Sequence, residues 1–252
     1  MSIEANNAPN LHLDGQPAGA VAPAMIVKQL IVIPIYWGSW WLPESGGAYN
    51  WLDVNGALTR VLTGRYMDGL NQYGIGRGAM PTPYVYPIDP PPQGFSDYNH
   101  QSMFKLAIDG GHVPGPWDYD LATQQPFYSL IVKPGIEHLS GTTPDINTGA
   151  YHYGFSYDDG SRTWSGQACW VKGDTTLGGT VGRWVHELAE AYTEGKGEIS
   201  DLCQGQPSVL VDGVMVPQYW SAGANSCWPA ADPVVTRSPI LREKLNRSQI
   251  LG

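Results

Sequence analysis

The stretch Gln29-Leu-Ile-Val-Ile-Pro-Ile-Tyr-Trp37 decides the fold class. Its apolar residues run almost without a break, whereas a strand with one wet face would alternate apolar and polar. Such a strand is expected to be buried on both faces of a sheet. Gly38 and the Pro43-Glu-Ser-Gly-Gly47 cluster end it. Working outward, Leu52, Leu58, Val61, Leu62, Met67 and Leu70 fall at helical spacing between Trp51 and Tyr73, with Gly56 and Gly64 interrupting. Pro83-Tyr-Val-Tyr-Pro87 is a second strand. A helix capped by Ser96 or Asp97 follows, through Phe104, Leu106 and Ile108, and stops at Gly110-Gly111. Phe127–Lys133 is a third strand. Ala150–Tyr157 and Thr163–Val171 form an antiparallel pair around Asp158-Asp-Gly160. Thr175–Gly182 leads into a late helix carrying His186, and Val209–Val216 is a hairpin turning at Asp212-Gly213.

This order predicts a single domain of α+β class, a mixed sheet backed by helices, over residues 26–237. Residues 1–25 are rich in Asn, Ala, Gly and Pro without periodicity and read as a flexible arm; residues 238–252 read as a tail. Charged residues make up 15% of the 252, well below the usual quarter, while Gly (31), Pro (21), Trp (10) and Tyr (14) are abundant. That loop-rich, aromatic composition is compatible with a secreted protein, although Met1–Ala8 has no signal-peptide pattern. A net charge of −9 without a basic patch argues against nucleic acid and anionic membrane as partners. Leu30–Trp37, the longest apolar run, is far short of the roughly 20 residues of a membrane span.

The chemistry concentrates in Trp184-Val-His-Glu-Leu-Ala-Glu-Ala-Tyr-Thr-Glu194 and the return through Glu198-Ile-Ser-Asp-Leu-Cys203. On a helix, His186 and Glu190 leave the same face one turn apart, as two ligands of one divalent ion must. Glu187 lies about 100° round the helix, placed to take a proton from water acidified by that ion. Glu198 and Asp201 supply further carboxylates.

The string resembles the zincin metallopeptidase signature His-Glu-x-x-His with glutamate at the second histidine. The resemblance implies zinc, a peptide or protein substrate and Glu187 as base. It implies a third ligand three residues beyond a glycine stop, which is Glu198 after Gly195, with Asp201 orienting the site; the two could exchange parts. Tyr219 is a candidate transition-state hydrogen-bond donor of the kind zincins use. A carboxylate at position 190 keeps calcium or another oxygen-loving cation open.

A broader likeness rests on Tyr36-Trp37-Gly38-Ser-Trp40, Gly69-Leu-Asn-Gln-Tyr-Gly74, His186–Thr193, Glu198–Cys203, Tyr219-Trp-Ser221 and Cys227. It is similar to a set of bacterial and fungal proteins distantly related to plant phosphate-induced (EXORDIUM-type) proteins. That set covers residues 28–229 and implies a Cys203–Cys227 disulfide. On compartment logic the alternative is three free thiols.

The rival function is a non-catalytic carbohydrate- or cell-wall-binding module. Trp37, Trp40, Trp41 and Trp51 would form its aromatic platform and the acidic cluster a structural cation site. A glycosidase using Glu187 and Glu190 is a poor third reading, because carboxylates three residues apart on one helix cannot flank a sugar from opposite sides. Among the other histidines, His152 reads as a hydrogen-bonded sheet residue that could line a cleft. His100 and His112 read as surface or cap residues, and nothing supports His138.

Overall fold

The computed structural model describes residues 28–193, 199–203, 205–221 and 226–229. In chain order these form β1 (Lys28–Trp37), α1 (Trp51–Thr63), a 3-10 stretch (Arg65–Tyr73), β2 (Ile75–Ala79) and β3 (Tyr84–Tyr86). Next come α2 (Asp97–Asp109), β4 (Gln124–Val132), β5 (His138–Ser140), β6 (Thr143–Asp145), β7 (Ala150–Asp158), β8 (Thr163–Lys172) and α3 (Leu177–Ala191). A 3-10 turn (Asp201–Cys203) precedes β9 (Val209–Val211), β10 (Val214–Val216), β11 (Tyr219–Ser221) and β12 (Ser226–Trp228). The expected arm and tail, residues 1–25 and 238–252, lie outside the described residues.

The main sheet runs β2-β1-β4-β8-β7, with β3 also on β1. All pairs are parallel except the β7–β8 hairpin, so the sheet is mixed and β7 is its antiparallel edge. β1 is buried on both faces. Leu30, Val32 and Tyr36 join the core with α1 and α3, while Ile31, Ile33, Ile35 and Trp37 join the core with α2. The unbroken apolar run follows from having helices on either side.

Pro34 sits inside this central strand, where a missing N–H would ordinarily break a ladder. Lys28 N donates to Gly74 O and Gly38 N to Tyr86 O, so even-numbered residues of β1 direct their N–H toward β2 and β3. On that edge β2 stops at the partner of Ile31 and β3 begins at the partner of Ile35. The absent donor of Pro34 therefore points into the gap between two short strands, and no hydrogen bond is lost.

The predicted helix Trp51–Tyr73 is two pieces. Asn50 and Asp53 close a capping box at the start of α1. The α-helix stops at Gly64, where a Cβ would lie 2.3 Å from Asp212 Oδ2 and 2.4 Å from Arg60 O. Asp212 accepts a hydrogen bond from Arg65 N at 2.7 Å. It occupies the turn between β9 and β10, where Asp212 (φ 50°) and Gly213 (φ 77°) adopt the left-handed conformation of a two-residue hairpin.

The late helix also has different limits from those expected. It begins at Leu177, capped by Thr176 Oγ1, which accepts from Gly179 N at 3.1 Å, and it ends at Ala191. The predicted stop, Gly195, is outside the described residues. Val181, Trp184, Val185 and Leu188 bury one face of α3 against the sheet and α1. Trp184 Nε1 donates to Ser129 Oγ of β4 at 3.0 Å, and both side chains are fully buried. That bond fixes the rotation of the helix over the sheet.

Ser129→Ala should leave the Trp184 N–H buried without an acceptor and lower stability by about 2 kcal/mol. Urea unfolding measures this, and a change near zero would show that the bond does not hold the helix.

Candidate metal centre

β7 and α3 build the site together. Along β7 the side chains of Phe155 and Tyr157 enter the α2 core, so His152 is turned to the opposite face, toward α3. On α3, Glu187 and Glu190 face the sheet and are 7% and 5% exposed. Two carboxylates this deep need compensation, because an unmatched buried charge costs several kcal/mol.

Each is met by an imidazole. His152 Nδ1 is 2.9 Å from Glu187 Oε2 in a buried hydrogen bond and 3.8 Å from Glu190 Oε2. His186 Nε2 lies 3.2 Å from Glu190 Oε1 and 3.5 Å from Asp201 Oδ1. Burial lowers the His186 pKa, but contact with Glu190 and the charges of Glu187 and Asp201 outweigh it, and the net shift is upward. Glu190 Oε1 is nevertheless left without a hydrogen bond among the described residues, since the His186 contact is close without being aligned.

Asp201 reaches the site because its segment is tied down. Ile199 is buried in the core, Ser200 Oγ donates to His186 O at 3.3 Å, and Cys203 is bonded to Cys227 of β12. The disulfide implied by the family likeness is thus present, and Cys169 is the free, buried thiol. Asp201 keeps 44% of its side chain exposed, which leaves the group open to solvent on one side.

Of the residues singled out in the sequence, His186, Glu190 and Asp201 present donor atoms within 4.8 Å of one another. Two donors held at 2.0–2.1 Å from one tetrahedral ion sit about 3.3 Å apart. The two spacings from His186 Nε2, 3.2 and 3.5 Å, are close to that value, and Glu190 Oε1, without an aligned hydrogen bond among the described residues, is the atom an ion would satisfy. One imidazole and two carboxylates suit zinc and also admit a harder cation. A second combination, His152 with Glu187 and Glu190, is as compact, but it shares Glu190 with the first and all three of its residues are buried, whereas Asp201 opens the first to solvent. Glu198 lies outside the described residues.

Tyr219 is not brought to the group. It is fully buried, its hydroxyl donates to Tyr66 O at 2.7 Å, and burial pushes its phenol far up. Its role is in the support, because Tyr66 Oη in turn donates to Val185 O of α3 at 3.3 Å. The tryptophans expected as a platform are packed inward. Trp37 and Trp41 are buried, and Trp40 and Trp51 are half-buried against the core. His152 is the residue the sequence undervalued. Its only local signal was alternation within Ala150–Tyr157, and its partner depended on which face of β7 met α3.

Compared with protein-family models, with curated proteins and with solved structures, the chain has no significant match. No described helix is long and apolar enough to cross a membrane.

His152→Ala should destabilise the protein by about 3 kcal/mol, since Glu187 loses its buried partner. Adding Glu187→Gln should recover a large part of that loss in a double-mutant cycle. If the two effects simply add, the pair carries no coupling and His152 is only packing.

Proposed function

We propose that this chain is a metal-dependent hydrolase of zincin-like type, acting on peptide bonds with zinc as the ion. The observation that carries the reading is the buried Glu190 Oε1, without an aligned hydrogen bond among the described residues, 3.2 Å from His186 Nε2 and grouped with Asp201. His186, Glu190 and Asp201 would hold the ion, and Glu198 is a further proposed ligand on its spacing from the helix. The ion would supply Lewis acidity, acidifying water and polarising a carbonyl oxygen.

The protein's own groups divide the remaining work. Glu187 takes the proton of the attacking water and returns it to the departing amine nitrogen. His152 Nδ1 holds the Glu187 carboxylate in place through its bond to Oε2. The disulfide and the buried Ile199 hold Asp201 at the mouth of the site.

A peptide substrate is favoured over a polysaccharide by the neighbouring surfaces. β7 has no strand partner on its outer edge among the described residues, so its backbone groups are open to an extended chain. Tyr151, beside His152, is 54% exposed. The tryptophan platform that a wall-binding module would use is largely in the core. A late helix lying beneath a mixed sheet, next to its antiparallel edge, also supports the zincin-like reading.

Protein purified without added metal should contain about one equivalent of zinc, and less than about a tenth of any transition metal would overturn the zinc assignment. Glu187→Gln should abolish hydrolysis of denatured casein while metal content stays intact. Retained activity in that variant removes Glu187 as the base.

A further inference from the structure

The opposite face of the sheet carries a second convergence of ligand atoms. Asp97 is the first residue of α2 and His100 lies one turn on, so both side chains leave the same side of the helix. His138 arrives from β5, which is held to Phe95 by an isolated parallel bridge. His100 Nε2 and His138 Nε2 both lie 3.0 Å from Asp97 Oδ1. The three donor atoms are within 4.8 Å of one another.

The two imidazoles are rigidly placed. His100 is 1% and His138 9% exposed, whereas the Asp97 side chain is 75% exposed. His138 is stacked on Trp170 at 4.5 Å and meets the edge of Phe95 at 5.3 Å. His100 Nδ1, the nitrogen remote from Asp97, is 2.6 Å from Tyr153 Oη. A metal-binding histidine needs its second nitrogen engaged in this way, because that bond selects the tautomer and fixes the ring.

We infer that Asp97, His100 and His138 form a second divalent metal site, selective for a first-row transition ion and independent of the His186 centre. Two neutral imidazoles and one carboxylate leave the remaining coordination positions to water on the exposed side of Asp97. Nitrogen supplies two of the three protein ligands, so zinc, cobalt, nickel or iron(II) is favoured over calcium or magnesium. Without an ion, the same atoms share N–H···O bonds at Asp97 Oδ1. On binding, the His100 proton resides on Nδ1, where the Tyr153 oxygen accepts it, and the Nε2 lone pair faces the ion. In His138 the single proton likewise moves from Nε2 to Nδ1, so that its Nε2 lone pair also faces the ion.

The test uses the full chain carrying His186→Ala and Glu190→Gln, which removes the first centre. Equilibrium dialysis against Co2+, followed by elemental analysis and visible absorption, should find about one equivalent bound with a ligand-field band. Adding Asp97→Asn or His138→Gln should abolish the band and weaken binding by at least about a hundredfold. Tyr153→Phe, which keeps the ring and removes the hydroxyl, should weaken it by about ten- to a hundredfold. Circular dichroism establishes which variants fold, and Asp97→Asn, at an exposed position, gives the reading if His138→Gln unfolds. Less than about a tenth of an equivalent in the starting variant overturns the proposal. So does binding that is unchanged in a folded Asp97→Asn protein.

Discussion

Two carboxylates on one turn of α3 are buried against a sheet, and the surrounding structure has to meet their charge. Glu187 is answered by a histidine from the neighbouring strand, which requires β7 to present its His152 face to the helix. Glu190 is answered by a histidine from its own helix and by a segment that returns to bring Asp201 near. The return is fastened by a buried isoleucine, a serine bonded to the helix backbone and a disulfide. Taken together these devices leave Glu190 Oε1, 3.2 Å from His186 Nε2, without an aligned hydrogen bond among the described residues. That oxygen is the feature on which the proposed cation site rests.

β7 joins the two faces of the molecule. Adjacent residues of a strand point to opposite sides, so His152 touches Glu187 while Tyr153 touches His100. The strand is antiparallel and terminal in the sheet, and it is the only described strand with a side chain bonded into each of the two clusters. Any shift of one residue in its pairing with β8 would withdraw both partners at once. The long, regular register of that hairpin is what holds both contacts together.

Elements with local signals were legible in the sequence. β1 declared itself by its apolar run, the β9–β10 hairpin by Asp212-Gly213, and α2 by its Ser96 cap and glycine stop. What failed depended on distant partners. The break at Gly64 is imposed by Asp212, which arrives from far along the chain. The early start of α3 was hidden by Gly178, Gly179 and Gly182, which weaken any helical pattern, although Thr176 and the packing of Val181 secure it. His100 looked like a surface or cap residue and His138 had no support, because nothing near either in sequence shows that β5 folds back beside Phe95. For the α3 site, spacing gave His186 and Glu190, but the burial of the glutamates and the pairing with His152 arise only once the sheet is assembled.

Pro34 has a consequence for the chain before it folds. Leu30–Trp37 has the composition of segments that stack on copies of themselves into cross-β ladders, since it is apolar, uncharged and rich in β-branched residues. A ladder of that kind needs an N–H from alternate residues on each side, and Pro34 removes one from every copy. In the native sheet the omission falls in a gap and costs no bond. In an aggregate it would recur at every rung, so the residue would act as a gatekeeper within this apolar stretch.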